Sequence, residues 1–324
     1  MKTYHETTKN VYKDAALQPN VGLCCTTSPV WQLPDLKMPQ IMLEMNYGCG
    51  TVVSPRDLVN NPQMLYVGIG GGMELLQLSY FNRQTGGLIG LDVVDEMIEV
   101  CKKNMLIAEQ ENEWFDRSFI DIRKGDALAL PIEDNSIDIA AQNCLFNIFD
   151  KEDLALALKE MYRVLKPNGK LVLSDPICDG VMPDFLSNDE TLRALCLSGA
   201  LPLQEYIKMI TDTGFGTVEI RAKRLYRVLS KLEYPQLEED LIIYSIELAA
   251  IKDPMPADGP CVFTGRSAIY FGSDEFFDDN NGHTLMRHQP LAVCDKTAGA
   301  IAALGRTDIF VSESTFHYDG GGCC

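Results

Sequence analysis

From about residue 62 the chain alternates short apolar runs with amphipathic stretches, and its first junction is glycine-rich, Gly68-x-Gly70-x-Gly72. That combination limits the fold more than any other feature. Met64-Leu65-Tyr66-Val67-Gly68 reads as a buried strand and the stretch from Met73 to Phe81 as a helix. Glycine is needed between them because the backbone must turn sharply and approach a ligand without a Cβ in the way. A second strand is expected over 88–91 and a helix over 92–109, with apolar Val93, Met97, Val100 and Leu106. Strands follow at 119–123 and 137–142. A helix over 151–165 is stopped by Pro167-Asn168-Gly169, and a strand follows at 170–174. A helix over 203–213, a strand over 217–220 and a strand candidate over 241–250 continue the series. Such βαβ alternation predicts an α/β fold, a mostly parallel sheet with helices on both faces.

The flanks have a different texture. Residues 1–60 are rich in Pro, Cys and Thr, with little periodicity before a short helix at 38–45. After Gly272 the chain turns to SDEFFDDNNGH, followed by a short strand within 288–296, an Ala-rich helix over 297–304 and a strand over 309–311. Four segments are therefore expected, 1–60, 61–180, 181–272 and 273–324, the second being the ligand-binding core.

Asp92 stands 20 residues beyond Gly72, at the end of the second strand, where a carboxylate accepts hydrogen bonds from a ribose diol. Glycines and carboxylate together suit a nicotinamide dinucleotide as well as S-adenosylmethionine, and a solvated loop carboxylate is the plainer reading of Asp92. The downstream series separates them: Gly125-Asp126-Ala127-Leu128, Leu130-Pro131, Ser136-Ile137-Asp138, and the run from Met161-Tyr162-Arg163 through Pro167-Asn168-Gly169-Lys170-Leu171. Over residues 62–176 it resembles the class I S-adenosylmethionine methyltransferases. The resemblance implies that Gly68, Gly70 and Gly72 form the cofactor loop and that Asp92, with its neighbour Val93, meets the ribose. It further implies that Asp126, with Ala127, meets the adenine and that Asn143 lines the same site. Many members of that class carry an acidic residue two positions before the first glycine. Tyr66 stands there in this chain, which leaves the contact to the methionine end unassigned.

A formal charge of −18 argues against a nucleic-acid partner, since phosphate binding needs clustered Lys and Arg. No run approaches the roughly 18 apolar residues of a membrane span, and the polar start, Met1-Lys2-Thr3-Tyr4-His5, has no signal-peptide pattern. A cytoplasmic protein is expected. There its eleven cysteines would be reduced, which favours metal or thiol chemistry over a disulfide framework. Structural zinc calls for four ligands with a Cys-x₂₋₄-Cys knuckle, and the sequence has no such knuckle.

The cysteine stations carry a second resemblance. Leu23-Cys24-Cys25-Thr26, Asn46-Tyr47-Gly48-Cys49-Gly50 and Gln142-Asn143-Cys144-Leu145-Phe146-Asn147 come first. Leu195-Cys196-Leu197-Ser198-Gly199-Ala200-Leu201 and Cys261-Val262-Phe263-Thr264-Gly265-Arg266-Ser267 follow. In this order, over residues 20–272, they resemble the arsenite methyltransferases. That resemblance implies Cys49, Cys196 and Cys261 as the ligands of trivalent arsenic, with residues 181–272 as the arsenic-binding part. It implies Cys24 and Cys25 as a redox pair served by a thiol reductant, glutathione or thioredoxin. Thiolates are natural ligands for a soft, thiophilic ion. A lone pair on arsenic attacking a sulfonium methyl releases no proton, so no general base is needed, and His5, His283, His288 and His317 all lie outside the core pattern. Cys101 reads as a small buried hydrophobe, and Cys144 equally as a pocket residue or a buried one. The terminal Cys323-Cys324 pair resembles a mobile dithiol, or is an inert tail, and loosely suggests an arsenosugar-related branch. Two rivals remain: a class I methyltransferase acting on an organic acceptor such as a lipid or quinone, and a metalloid-binding protein without catalysis.

Overall fold

A strand buried on both faces must be apolar at every position, and Met64–Val67 (β1) is: all four residues are buried. The computed structural model describes residues 2–20, 23 and 30–320. Among the described residues, two helices precede β1, Thr3–Leu17 (α1) and Gln40–Glu44 (α2). Beyond it come Met73–Phe81 (α3), Leu88–Asp92 (β2), Asp95–Glu111 (α4), Ile120–Lys124 (β3), Ile137–Asn143 (β4), Lys151–Val164 (α5) and Leu165–Cys178 (β5). Two short helices, Asp184–Ser187 (α6) and Glu190–Ala194 (α7), lead to Leu203–Asp212 (α8), Thr217–Leu229 (β6) and Leu241–Ile251 (β7). The chain closes with Cys261–Phe263 (β8), Arg266–Tyr270 (β9), Phe276–Asp278 (β10), Thr284–Met286 (β11), Pro290–Val293 (β12), Asp295–Ala303 (α9) and Ile309–Val311 (β13).

One eight-stranded sheet orders these strands β3-β2-β1-β4-β5-β7-β6-β8. Its first five strands run parallel, and β7 lies antiparallel between β5 and β6. Strand order reverses between β1 and β4, which opens a crevice at the carboxyl ends of the strands. One face packs on α5 and α8 through Leu154, Leu158, Met161, Tyr206 and Ile210. The other packs on α3 and α4 through Leu75, Leu76, Ile98 and Met105. Each such fully buried side chain contributes about 1.5–3 kcal/mol relative to exposure.

Three expectations from the sequence need correction. Residues 3–17 form a fifteen-residue helix. Its buried line is Tyr4, Thr8, Ala15 and Ala16, helical in spacing but short of large apolar residues. Second, the sheet crosses the boundary expected at residue 180, because β5 runs to Cys178 and pairs with β7, which pairs with β6. Third, the boundary at 272 falls inside a small sheet, β12-β9-β13, whose core of Phe263, Tyr270, Leu285, Val293 and Ile301 spans 261–318.

Candidate active site

The crevice holds a cavity lined by Gly68, Gly70, Asp92, Val93, Asp126, Ala127 and Asn143. Seven of the eight residues assigned to the cofactor from sequence therefore line this one cavity. The eighth does not. Gly72 caps α3 with φ +90°, and a Cβ there would stand 2.4 Å from Met105 Cε and 2.9 Å from Cys101 Sγ. Gly72 serves helix packing, and Cys101 is the buried filler its context suggested. At Gly70, with φ +50°, a Cβ would meet no protein atom within 4 Å and would instead project into open space. The loop is a cradle for something other than the chain itself.

Asp92 ends β2, and the Val94 N–H donates to its carboxylate at 3.0 Å. Burial pushes its carboxyl up to about 6, against the N–H groups of Val94, Val93, Ile69 and Gly70, which pull it down. Asp126 is exposed at the rim and accepts from the Leu128 N–H at 3.0 Å. Both carboxylates stand at the carboxyl ends of neighbouring strands, the arrangement that meets a nucleoside's ribose and base. Overhead, α1 contributes His5, Thr8, Lys9 and Tyr12 to the lining. Sequence reading missed this roof entirely.

The opposite end of the cavity is built around Asn143. Its Oδ1 accepts from the Cys49 N–H at 3.0 Å, and its Nδ2 donates to the Gly50 carbonyl at 2.9 Å and to Glu74 at 3.1 Å. Asn143 thus ties the cofactor wall to the cysteine loop. The Cys49 thiol lies 3.4 Å from the Ser174 hydroxyl, and the Cys49 carbonyl accepts from Ser245 at 2.7 Å. Glu74 also accepts from the Tyr66 hydroxyl and, at 3.2 Å, from the Val52 N–H. Below them Asp175, fully buried, accepts from Tyr206 at 2.6 Å and from Gln142; burial raises its carboxyl to about 7.

Cys49, Cys144, Cys178 and Cys196 share one buried cluster with Ile148, Met182, Leu229 and Ile243. The Cys196 thiol donates to the Cys144 carbonyl at 2.6 Å. Cys144 and Cys196 both adopt left-handed backbone, φ +61° and +58°, a conformation costing a non-glycine residue roughly 1–2 kcal/mol. Strain of this kind concentrates at functional sites. Cys178 differs: its thiol donates to the Gly180 and Ala200 carbonyls, and burial pushes it up to about 11.

Cys261 is not part of this group, which corrects its assignment beside Cys49 and Cys196. It lies on the edge strand β8 opposite Thr217, in the separate core with Phe263 and Tyr318. Three strand spacings across from β5 and four residues along from Ser174, it is about 20 Å from Cys49 by sheet geometry. Among the described residues, no three His, Cys, Asp or Glu side chains are grouped tightly enough to hold a metal ion. Cys24, Cys25, Cys323 and Cys324 lie outside the described residues. No helix among those described is long and apolar enough to cross a membrane.

A parallel sheet in this order, a glycine cradle after β1 and carboxylates after β2 and β3 define the class I S-adenosylmethionine methyltransferase fold. A family described as a methyltransferase domain matches residues 65–173. The arsenite methyltransferase of Rattus norvegicus is 30% identical over 267 residues, covering 79% of this chain and 68% of that one. That of Aquipseudomonas alcaligenes is 32% identical over 222 residues, 65% of this chain and 62% of its own. Among solved structures, the arsenic(III) S-adenosylmethionine methyltransferase of Chlamydomonas reinhardtii shares the fold with a TM-score of 0.62 at 21% identity, covering 90% of this chain and 99% of that one. The chain belongs to the arsenite methyltransferase family. It spans between 44% and 62% of the length of the relatives from Aquipseudomonas alcaligenes, Halobacterium salinarum, mouse and human.

Proposed function

We propose that the protein transfers the methyl group of S-adenosylmethionine to trivalent arsenic held by Cys49, Cys144 and Cys196. The observation that carries this reading is the junction at Asn143, where one side chain bonds both the cofactor wall and the Cys49 loop. Cys144 itself lines the cavity. When bound, S-adenosylmethionine supplies an electrophilic methyl on its sulfonium. Gly68 and Gly70 admit it closely, Asp92 accepts from its ribose, and Asp126 reaches its adenine edge. Arsenite arrives as the substrate. Each As–O bond is replaced by an As–S bond, and the thiol proton leaves with the oxygen as water. As the thiols of Cys49, Cys144 and Cys196 are not grouped tightly enough to hold an ion as they stand, binding draws them together. Three sulfurs then hold arsenic as a pyramid and leave its lone pair free to form the new As–C bond, with positioning supplying much of the acceleration. Binding replaces the hydrogen bond from Cys196 to the Cys144 carbonyl.

The transfer formally oxidises arsenic by two electrons. Cys24 and Cys25 are the pair proposed to return them, closing a disulfide that glutathione or thioredoxin then reduces. A cytoplasmic setting keeps such thiols reduced, and methylated arsenic would serve detoxification or arsenosugar formation. The test is incubation with arsenite, S-adenosylmethionine and glutathione, followed by speciation of the arsenic. Methylated products are expected from the wild type. Serine at both Cys24 and Cys25 should allow a single transfer and stop multiple turnover. No methylated arsenic from the folded wild type would refute the reading.

A further inference from the structure

Among the described residues, no cation stands beside one buried carboxylate of the cavity. Glu74, in the first turn of α3, is 5% exposed and lines the wall. Three neutral donors hold it: the Val52 N–H at 3.2 Å, the Asn143 amide at 3.1 Å and the Tyr66 hydroxyl. Its charged neighbour is another carboxylate, Glu247, which is itself engaged by Arg224 and the Thr51 N–H. Burial holds the Glu74 carboxyl above its ordinary range. An ionised carboxylate in such a place is costly unless a cation joins it.

Its position says where that cation comes from. Asp92 and Asp126, after β2 and β3, mark the nucleoside end of the cavity. Glu74 and Asn143 lie with β1 and β4, on the other side of the glycine loop and beside the cysteines. A ligand laid along the carboxyl ends of the strands from Asp126 to Asn143 brings its far end to Glu74. In many class I enzymes the acidic residue of this region comes from the strand, two positions before the first glycine. Here Tyr66 occupies that position and its hydroxyl donates to Glu74.

We propose that Glu74 receives the α-ammonium of the methionine end of S-adenosylmethionine, a carboxylate delivered from the helix in place of the one Tyr66 has displaced. Tyr66 and Asn143 are positioning residues that aim it. The proposal rests on the reading that this cavity takes S-adenosylmethionine.

The test is calorimetric binding of S-adenosylhomocysteine and of its analogue carrying a keto oxygen in place of the ammonium, to the wild type and to Glu74→Gln. The wild type should prefer the amino ligand by roughly 10- to 100-fold, the scale of a charged hydrogen bond. Glu74→Gln should erase that preference, weakening the amino ligand while leaving the keto analogue unchanged. Equal weakening of both ligands, or of neither, overturns the proposal. So does a wild type without the preference, a measurement that stands even where the variant fails to fold. A wild type that binds neither ligand instead refutes the cofactor reading.

Discussion

Among the described residues, two buried cores hold more than one cysteine each, and they differ in what surrounds the sulfur. Around Cys49, Cys144 and Cys196 the backbone is strained, polar side chains intervene, and a cavity adjoins. Around Cys261 and Cys294 the neighbours are Phe263, Ala268, Val293 and Ala298, and the Cys294 thiol lies 3.2 Å from the Thr297 hydroxyl of its own helix start. A cysteine in the second setting is a small hydrophobe. In the first, protein stability is spent on holding sulfur in place. Chemistry is thus read from a thiol's neighbours, and the presence of a thiol in the sequence settles little.

The largest expected effect separates the two cores directly. Cys49→Ser or Cys196→Ser should lower arsenic methylation by roughly 100-fold, the scale of misplacing one group at a reacting centre. Affinity for S-adenosylhomocysteine should stay at the wild-type level, because neither sulfur belongs to the nucleoside end. Arsenic speciation beside calorimetry checks both halves. Loss of cofactor affinity in parallel would mean the cysteines merely support the fold.

A second contrast lies within the cofactor loop. Gly72→Ala places a methyl against Met105 and Cys101 in a left-handed backbone, and should cost about 1–3 kcal/mol of stability, read from chemical unfolding. Gly70→Ala puts its methyl into open space. Both residues have positive φ, so some backbone strain accompanies either change. Cofactor affinity should suffer more at Gly70 and stability more at Gly72. The reverse pattern would exchange the roles assigned to the two glycines.

A smaller effect probes the nucleoside end by pH. Burial pushes the carboxyl of Asp92 up to about 6, and ribose hydroxyls donate best to the ionised form. Affinity for S-adenosylhomocysteine should therefore be full above that value and fall as pH drops through it, by roughly fourfold between pH 7.5 and 5.5. Linkage gives the matching stability trend. A carboxyl raised in the folded state binds its proton more tightly there, so its contribution favours the fold at low pH and is lost as pH rises towards 6. Asp92→Asn should flatten the affinity profile.

How much of this was legible in the sequence follows from the same contrast between local and distant causes. Strands β1 and β2 are buried along nearly their whole length and read as short apolar runs, and β4 is buried through its centre, Ile139 to Gln142. The loop and its carboxylates lie at fixed offsets from them, so the nucleoside end was visible. The first helix was hidden because Thr8, Ala15 and Ala16 stand where large apolar residues would reveal the period. Only the first four residues of β6 were seen, because irregularities at Ile220/Ala222 and Leu225/Arg227 break its alternation. Glu74 was overlooked because its role arises from a fold-made meeting with Tyr66 and Val52. Cys144 stayed ambiguous for a related reason: its left-handed backbone and its contact with Cys196, 52 positions away, exist only once the sheet is assembled.

The smallest expected effect tests the comparison most stringently, because it asks for near silence where the sequence implied a ligand. Cys261 begins β8 and is 4% exposed. Its backbone N–H donates to the Gly216 carbonyl at 2.8 Å, a bond that a side-chain change leaves intact. Serine there exchanges a sulfur for a smaller hydroxyl in a mainly apolar core. The expected cost is about 1 kcal/mol of stability and no more, since one modest buried polar group is introduced. Arsenic methylation by the folded Cys261→Ser variant should match the wild type, while Cys144→Ser should fall with Cys49→Ser and Cys196→Ser. If Cys261→Ser abolishes transfer and Cys144→Ser does not, the ligand set implied by sequence resemblance is right. The C-terminal core would then have to move about 20 Å towards the crevice for catalysis, a displacement that would show as a change in its hydrogen-exchange protection when arsenite is added.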